Sequence, residues 1–476
     1  MIQVHPNLQE VEQASALQRR LYRTIRETLR AMAGRLTGVA GWEAKKLLAH
    51  DVWLDAEHAN GIRQRVLELR FPRVDVEVDL DHALLAVLDH LPSTQSDAEF
   101  LAGVYRVVKP EVLAAVERYL QQSDPLDDAP SHRWLRLVRD ELREQLQQFA
   151  SLWATVSPAE QAAAQPWEDW VRAALAEAGG VFGQDSGRPR LSRPSFSDRP
   201  RYAIPPEPQR DPRWLPAVTQ VPPRPPRTPQ EQQIWVAIDH MNEIWASELA
   251  GALVWHHRGL PWSLYYDAAR WAYDEMRHAM MGERRLLAYG FEPGVDVPIV
   301  PDHWRGVGGR GGLEAMLFVV HGLEQGGPQW KAQLRSELWQ LGDPYSAQDC
   351  DYDWADESGH IRYGQEWIQA LYPDVPKAPP PRAHSPGSGR LEGLDRRTTP
   401  HGSAWLRGVP PADRSQVRPD AAAAPPRVLP PAGLQRRHHF LRSSRPNSCL
   451  MKAFAPADPL NLGCVRPACA SAAHGP

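Results

Sequence analysis

Two short stretches, DEMRHAMMG at 274–282 and DESGHIRYG at 356–364, constrain what this chain can fold into more than any other feature. Each sets a Glu and a His three residues apart, with an Asp before and a Gly four residues after the His. Both sit in runs whose apolar residues recur at helical spacing. Positions i and i+3 share one face of a helix, so Glu275 points with His278 and Glu357 with His360. A buried charge is costly unless it is paired or binds a metal. A carboxylate and an imidazole on one inward face suit a divalent metal, and two such pairs suggest two metals.

A helical bundle that holds two metals between facing helices needs more than its two Glu-x-x-His pairs. It also takes one Glu from each of the other two helices. The pattern supplies those helices. Helical spacing predicts helices at about 229–257, 262–289, 312–341 and 346–371, with a long connection through FEPGVDVPIVPDHWRGVGGRG. The third carries Glu324 mid-helix, near Gly326 and Gly327. The first offers Glu243 and Glu248, which are five residues apart and cannot share a face. Measured from the turn at Gly259-Leu260, Glu275 lies about 15 residues beyond and Glu243 about 16 before, level at about 1.5 Å per residue. Glu248 lies about one turn off, so Glu243 is favoured, with Glu248 as its alternative.

The N-terminal part reads as a second four-helix bundle with one long crossover. Its helices are expected at about 10–35, 42–70, 97–122 and 131–155, with a non-helical crossing between the second and third. WLDAEHANGIRQRVLELRF (53–71) loosely echoes WAYDEMRHAMMGERRLLAYGF (271–291), an echo of duplication. In this bundle Glu57 and His58 are adjacent, and Glu141 and Glu144 have no His companion, so no metal is expected there. That bundle is left to cover the metal bundle or to dimerise. The expected class is therefore all-α. A metal-free bundle at 1–177 and a metal bundle at 229–377 are joined by a Pro-rich linker at 178–228. A low-complexity, disordered or read-through tail follows at 378–476.

Composition excludes several function classes. The formal charge is −4, without the basic stripe a nucleic-acid footprint needs. No run approaches the roughly 18 apolar residues that span a bilayer, and MIQVHPNLQEVEQ lacks a signal-peptide profile. A cytoplasmic protein without nucleic-acid or membrane partners is expected. The four cysteines form no CxxC, and three of them lie in the tail, so neither a disulfide framework nor a zinc site is expected. Trp255, Trp262, Trp271, Trp354 and Trp367 read as core packing, and so do Tyr266 and Tyr273.

Glu243, Glu275 with His278, Glu324, and Glu357 with His360 together resemble the six-ligand set of the ferritin-like di-iron carboxylate superfamily. EIWASE, GLEQ and DESGHIRYGQEWI are similar in wording to a bacterial ferritin-like family of unassigned function, the DUF455 type. The resemblance spans about 229–373. It implies that Asp274 and Asp356 each accept the free ring N–H of the His on the opposite helix, and that Gly282 and Gly364 allow close helix approach or ligand access. It implies two iron ions, or an iron–manganese or dimanganese pair, since carboxylates and imidazoles suit these metals. The implied activity is oxidation by dioxygen or peroxide of a small organic substrate, with an external electron donor for repeated turnover. Metal handling (iron oxidation, storage or peroxide removal) and a non-catalytic helical scaffold are the rivals.

Overall fold

The computed structural model describes residues 10–69, 76, 81–183, 194–215, 228–297, 299, 304, 324 and 327–371. Among them there are helices and no strands. In the N-terminal half these are α1 (Val11–Gly38), α2 (Trp42–Glu68), α3 (His82–His90), α4 (Asp97–Ala102), a π-helical turn (Gly103–Val108), α5 (Lys109–Gln122), α6 (Ala129–Trp153) and α7 (Pro158–Glu177). A single turn, α8 (Pro194–Ser197), precedes α9 (Pro229–Asn242), α10 (Ile244–His256), α11 (Trp262–Ala288), α12 (Gly327–Gln340) and α13 (Pro344–Leu371). The tail expected at 378–476, the Gly-rich run at 306–312 and, apart from Glu324, the first part (312–326) of the helix expected at 312–341 lie outside the described residues.

Helix α1 is buried on every side from Arg20 to Thr37, although it is rich in arginine. Its charges survive burial because each meets a partner. Arg20 and Arg23 share the two oxygens of Asp81, at 2.6 and 2.7 Å. Glu27 takes Arg26 at 2.7 Å and Arg258 at 2.9 Å. Arg35 faces Asp97 at 3.4 Å.

The two halves are interleaved rather than set apart. α1 lies along α2 and α10, and α2 also lies along α11. Gly251 on α10 makes the close approach possible: any Cβ there would run into Ala33 O of α1, with Leu36 at 2.9 Å. Part of the expected linker is fixed to this core. Tyr202 donates to Gly34 O at 3.0 Å, Gln209 N to Thr37 O at 2.9 Å, and Arg210 Nη2 reaches Glu248 Oε2 at 3.0 Å. A Pro-rich segment with no core of its own is thus ordered by draping over α1.

Three local features depart from the sequence pattern. The crossing expected to be non-helical contains α3, whose Ala83, Leu84, Val87 and Leu88 are buried. α7 is a further helix, started by a capping box in which Ser157 and Glu160 satisfy each other's backbone N–H. The single helix expected at 229–257 is broken at Glu243. Glu243 N bonds His240 O at 3.0 Å and Ala246 N bonds Glu243 O at 2.8 Å, a tightened turn between α9 and α10. No helix of the described residues is long and apolar enough to cross a membrane.

Candidate metal centre

The break at Glu243 places its carboxylate opposite α11. There, Asp274, Glu275 and His278 are all buried, as the i, i+3 rule requires of one inward face. α13 brings Asp353, Asp356, Glu357 and His360 from the other side. α12 contributes Lys331, and Glu324 stands just ahead of it.

Around His278 Nδ1 lie Glu243 Oε2 at 3.0 Å, Glu275 Oε2 at 3.5 Å and Asp353 Oδ1 at 3.5 Å. Around His360 Nδ1 lie Glu275 Oε1 at 3.3 Å and Glu324 Oε2 at 3.5 Å. Glu275 thus turns one oxygen to each imidazole. The other ring nitrogens face outward across the helix pair: His278 Nε2 to Asp356 Oδ2 at 3.2 Å, and His360 Nε2 to Asp274 Oδ2 at 3.3 Å. Arg277 braces both aspartates, 2.6 Å from Asp274 and 3.1 Å from Asp356. Arg270 adds a contact to Asp274 at 2.8 Å.

The inward atoms have no hydrogen-bond partner. Glu243 Oε2, His278 Nδ1, Glu324 Oε2, Glu357 Oε2 and His360 Nδ1 are all buried and unsatisfied, while Asp353 Oδ1 among them has only the Lys331 ammonium. Buried polar atoms are normally paired, and each unpaired one costs about 1–3 kcal/mol. Five in one place would suit a common partner. Their spacing is compatible with a metal ion. Two ligand atoms about 2.1 Å from one ion, at right angles, stand about 3.0 Å apart. The separations of 3.0–3.5 Å found here are of the size such edges would have.

Three sets of side chains bring their ligand atoms within 4.8 Å of one another: His240, Glu243 and Asp353; Glu243, Glu275 and His278; and Glu275, Glu324 and His360. Glu275 links the last two. Glu357, the sixth residue of the sequence pattern, belongs to none of these sets. Its Oε1 is 2.6 Å from Lys331 Nζ, and its Oε2 lies against Gly327. Glu248, the alternative to Glu243, is elsewhere. It faces α1 and α2, fully buried, with Lys45 at 2.7 Å and Arg210 on its other oxygen.

Electrostatics fit a cation. Burial pushes the carboxyl groups of Glu243 and Glu324 up to about 7, and raises Glu357 as well. Burial also works against Glu275, but the imidazoles of His278 and His360, 3.5 and 3.3 Å away, hold it below the usual carboxylate range. His240 is pushed down to about 3 by burial and by Arg285, so its ring is neutral. Its Nε2 then donates to Asp353 Oδ2 at 2.7 Å, while Nδ1 accepts from Arg285. Crowded carboxylates that retain protons are a shell a divalent ion would deprotonate on binding.

The pattern of Glu and His in the sequence did not include His240, Lys331 or Asp353. Their signal was present: Asp353 is four residues before Glu357 and His240 three before Glu243, each on the ligand's own face. Tyr266 and Tyr273 lie away from the centre. Tyr266 donates to Glu57 at 2.8 Å, and Tyr273 stacks on Trp53 with ring centroids 5.0 Å apart. Trp271 is the aromatic that touches the site, donating to Glu275 Oε1 at 2.8 Å.

Residues 163–379 match the model of a family described as Protein of unknown function (DUF455). The match begins within α7 and takes in every residue of the centre. No curated protein and no solved structure matches the chain.

Proposed function

We propose that α9–α13 form a ferritin-like four-helix bundle around a two-metal carboxylate centre, and that the chain is an oxidoreductase using dioxygen or peroxide on an organic substrate. The observation that supports this reading is the set of buried, unsatisfied ligand atoms on Glu243, His278, Glu324 and His360, grouped around Glu275 at 3.0–3.5 Å. Glu243, Glu275 and His278 would hold one ion, and Glu275, Glu324 and His360 the other. Iron, or iron with manganese, would supply redox chemistry toward oxygen when bound.

The chain's own residues have distinct tasks in this reading. Asp274 and Asp356 fix the imidazoles with Nδ1 inward, because each accepts the outward Nε2–H. Trp271 orients the shared Glu275 by its indole N–H. His240, Arg285 and Asp353 form a buried polar chain behind Glu243 and keep bulk water from that side.

Elemental analysis of the full chain, beside Glu275→Ala and Glu357→Ala, tests the proposal. About two iron or manganese per chain in the wild type, reduced in Glu275→Ala, is the expected result. A folded wild-type protein that takes up neither metal after anaerobic loading would leave a helical scaffold as the better reading. Oxygen consumption by the loaded protein then separates an oxidase from a metal-handling protein, because only the former couples it to an added reductant and an organic substrate.

A further inference from the structure

The centre is not symmetrical, and the asymmetry is an ammonium group. Lys331 is buried, and its ion pairs on the candidate ligands favour the Glu243 side of the centre, although its charge also reaches Glu324. Its Nζ pairs with Asp353 Oδ1, lies 2.6 Å from Glu357 Oε1 and reaches Glu243 Oε1 at 4.0 Å. Asp353 Oδ1 is itself one of the oxygens around His278 Nδ1, at 3.5 Å. Among the described residues no ammonium is in ion-pair contact with the His360 half, where Glu275 and Glu324 face the imidazole.

We infer that Lys331 makes the two metal positions unequal. The Glu275–Glu324–His360 position fills first, and the Glu243–Glu275–His278 position fills second and more weakly. Two physical reasons act in the same direction. The ammonium already holds Asp353, the further carboxylate beside His278 Nδ1, so an ion there must share or displace it. An ion there also feels repulsion from a fixed positive charge a few ångströms away, in surroundings that screen poorly. The inference rests on the two-metal reading and adds an order of filling to it. It concerns binding, so it is read without turnover.

The test is an anaerobic titration of the metal-free full chain with Mn2+, followed by calorimetry and by the loss of the free-ion electron spin resonance signal. The wild type should show two steps separated by at least about tenfold in affinity. Glu324→Gln should remove the tight step, and Glu243→Gln the weak one. Lys331→Met should bring the two steps together, and Lys331→Arg should keep them apart. Because Lys331→Met leaves Asp353 buried without its partner, the double variant Lys331→Met/Asp353→Asn serves as a charge-neutral replacement whose fold is checked by circular dichroism. Two equal steps in the wild type, or a separation unchanged in both Lys331→Met and the double variant, would overturn the inference while leaving the two-metal reading intact. No Mn2+ bound by any folded form would overturn both.

Discussion

The approach of α9 to α11 is set by one residue, and replacing it should loosen the centre. Gly282 follows His278 by four residues, on the same face. A Cβ built there would lie 2.6 Å from Ala237 O and 2.8 Å from Met241 Cα, where ordinary contact begins at 3.4 Å. These are backbone atoms of α9, so no rotamer change relieves the clash. The helices must separate by about 1 Å or the strain must be absorbed locally, at a cost of about 1–3 kcal/mol. Alanine recovers about 1 kcal/mol of helix propensity, so Gly282→Ala should lower stability by roughly 0–2 kcal/mol. Metal binding should suffer more than stability. Met241 is two residues before Glu243, and the 3.0 Å edge between Glu243 and His278 spans the gap being widened. A loss of about tenfold or more in affinity is expected, as when other supports of metal ligands are removed. Gly359→Ala on α13 is the control, since its Cβ would meet nothing nearer than the Tyr363 hydroxyl at 3.9 Å. It should gain about 0.5–1 kcal/mol. Urea denaturation and Mn2+ titration of both variants decide the matter. If Gly282→Ala is stabilised like Gly359→Ala and binds metal like the wild type, the close-approach reasoning is wrong.

Glu248→Gln should destabilise the chain by about 3–5 kcal/mol at pH 7, because it strands the buried Lys45 ammonium. Burial, against the pull of Glu248, pushes Lys45 down to about 8. Between that value and its unfolded value of 10.5 the unfolded chain binds more protons, so stability from this group rises with pH. Without Glu248 the folded Lys45 loses its proton at lower pH still, so the deficit of Glu248→Gln should shrink as pH rises to about 8 and be constant above it in paired urea titrations, and a deficit unchanged from about pH 6 to pH 8 would count against a stranded charge. Asp356→Ala removes the acceptor of His278 Nε2 and should weaken Mn2+ binding by about 10–100-fold, with little change in helix content by circular dichroism.

The helices that carry the centre were legible because their apolar period and their Glu-x-x-His pairs agree. α11 and α13 run where the spacing predicts, and their inward faces hold Glu275, His278 and His360 together. The packing of the two halves was less legible. α1 reads as amphipathic because its arginines count as a wet face, yet Arg20, Arg23 and Arg35 are buried against Asp81 and Asp97. Periodicity assigns a charged residue to water unless its partner is known, and these partners lie far along the chain. The same blindness hid the role of Glu248. Its position relative to the turn gave it a height on α10 but not a direction, and Lys45 and Arg210 supply the direction.

Lys331 and Asp353 escaped notice for a related reason, and their joint appearance has a consequence. The six residues of the sequence pattern carry four carboxylate charges, which two divalent ions neutralise. Asp353 adds a fifth, and Lys331 adds one ammonium in direct contact with it. The pair cancels in sum, so the charge balance of the proposed two-ion centre is unchanged. It does not cancel in space. The ammonium also leans on Glu357 at 2.6 Å, drawing toward itself a carboxylate that the six-ligand pattern assigns to metal. In the proposed two-metal reading, a centre balanced as a whole and uneven within would give its first ion a preferred place, and Lys331 is the residue proposed to set it.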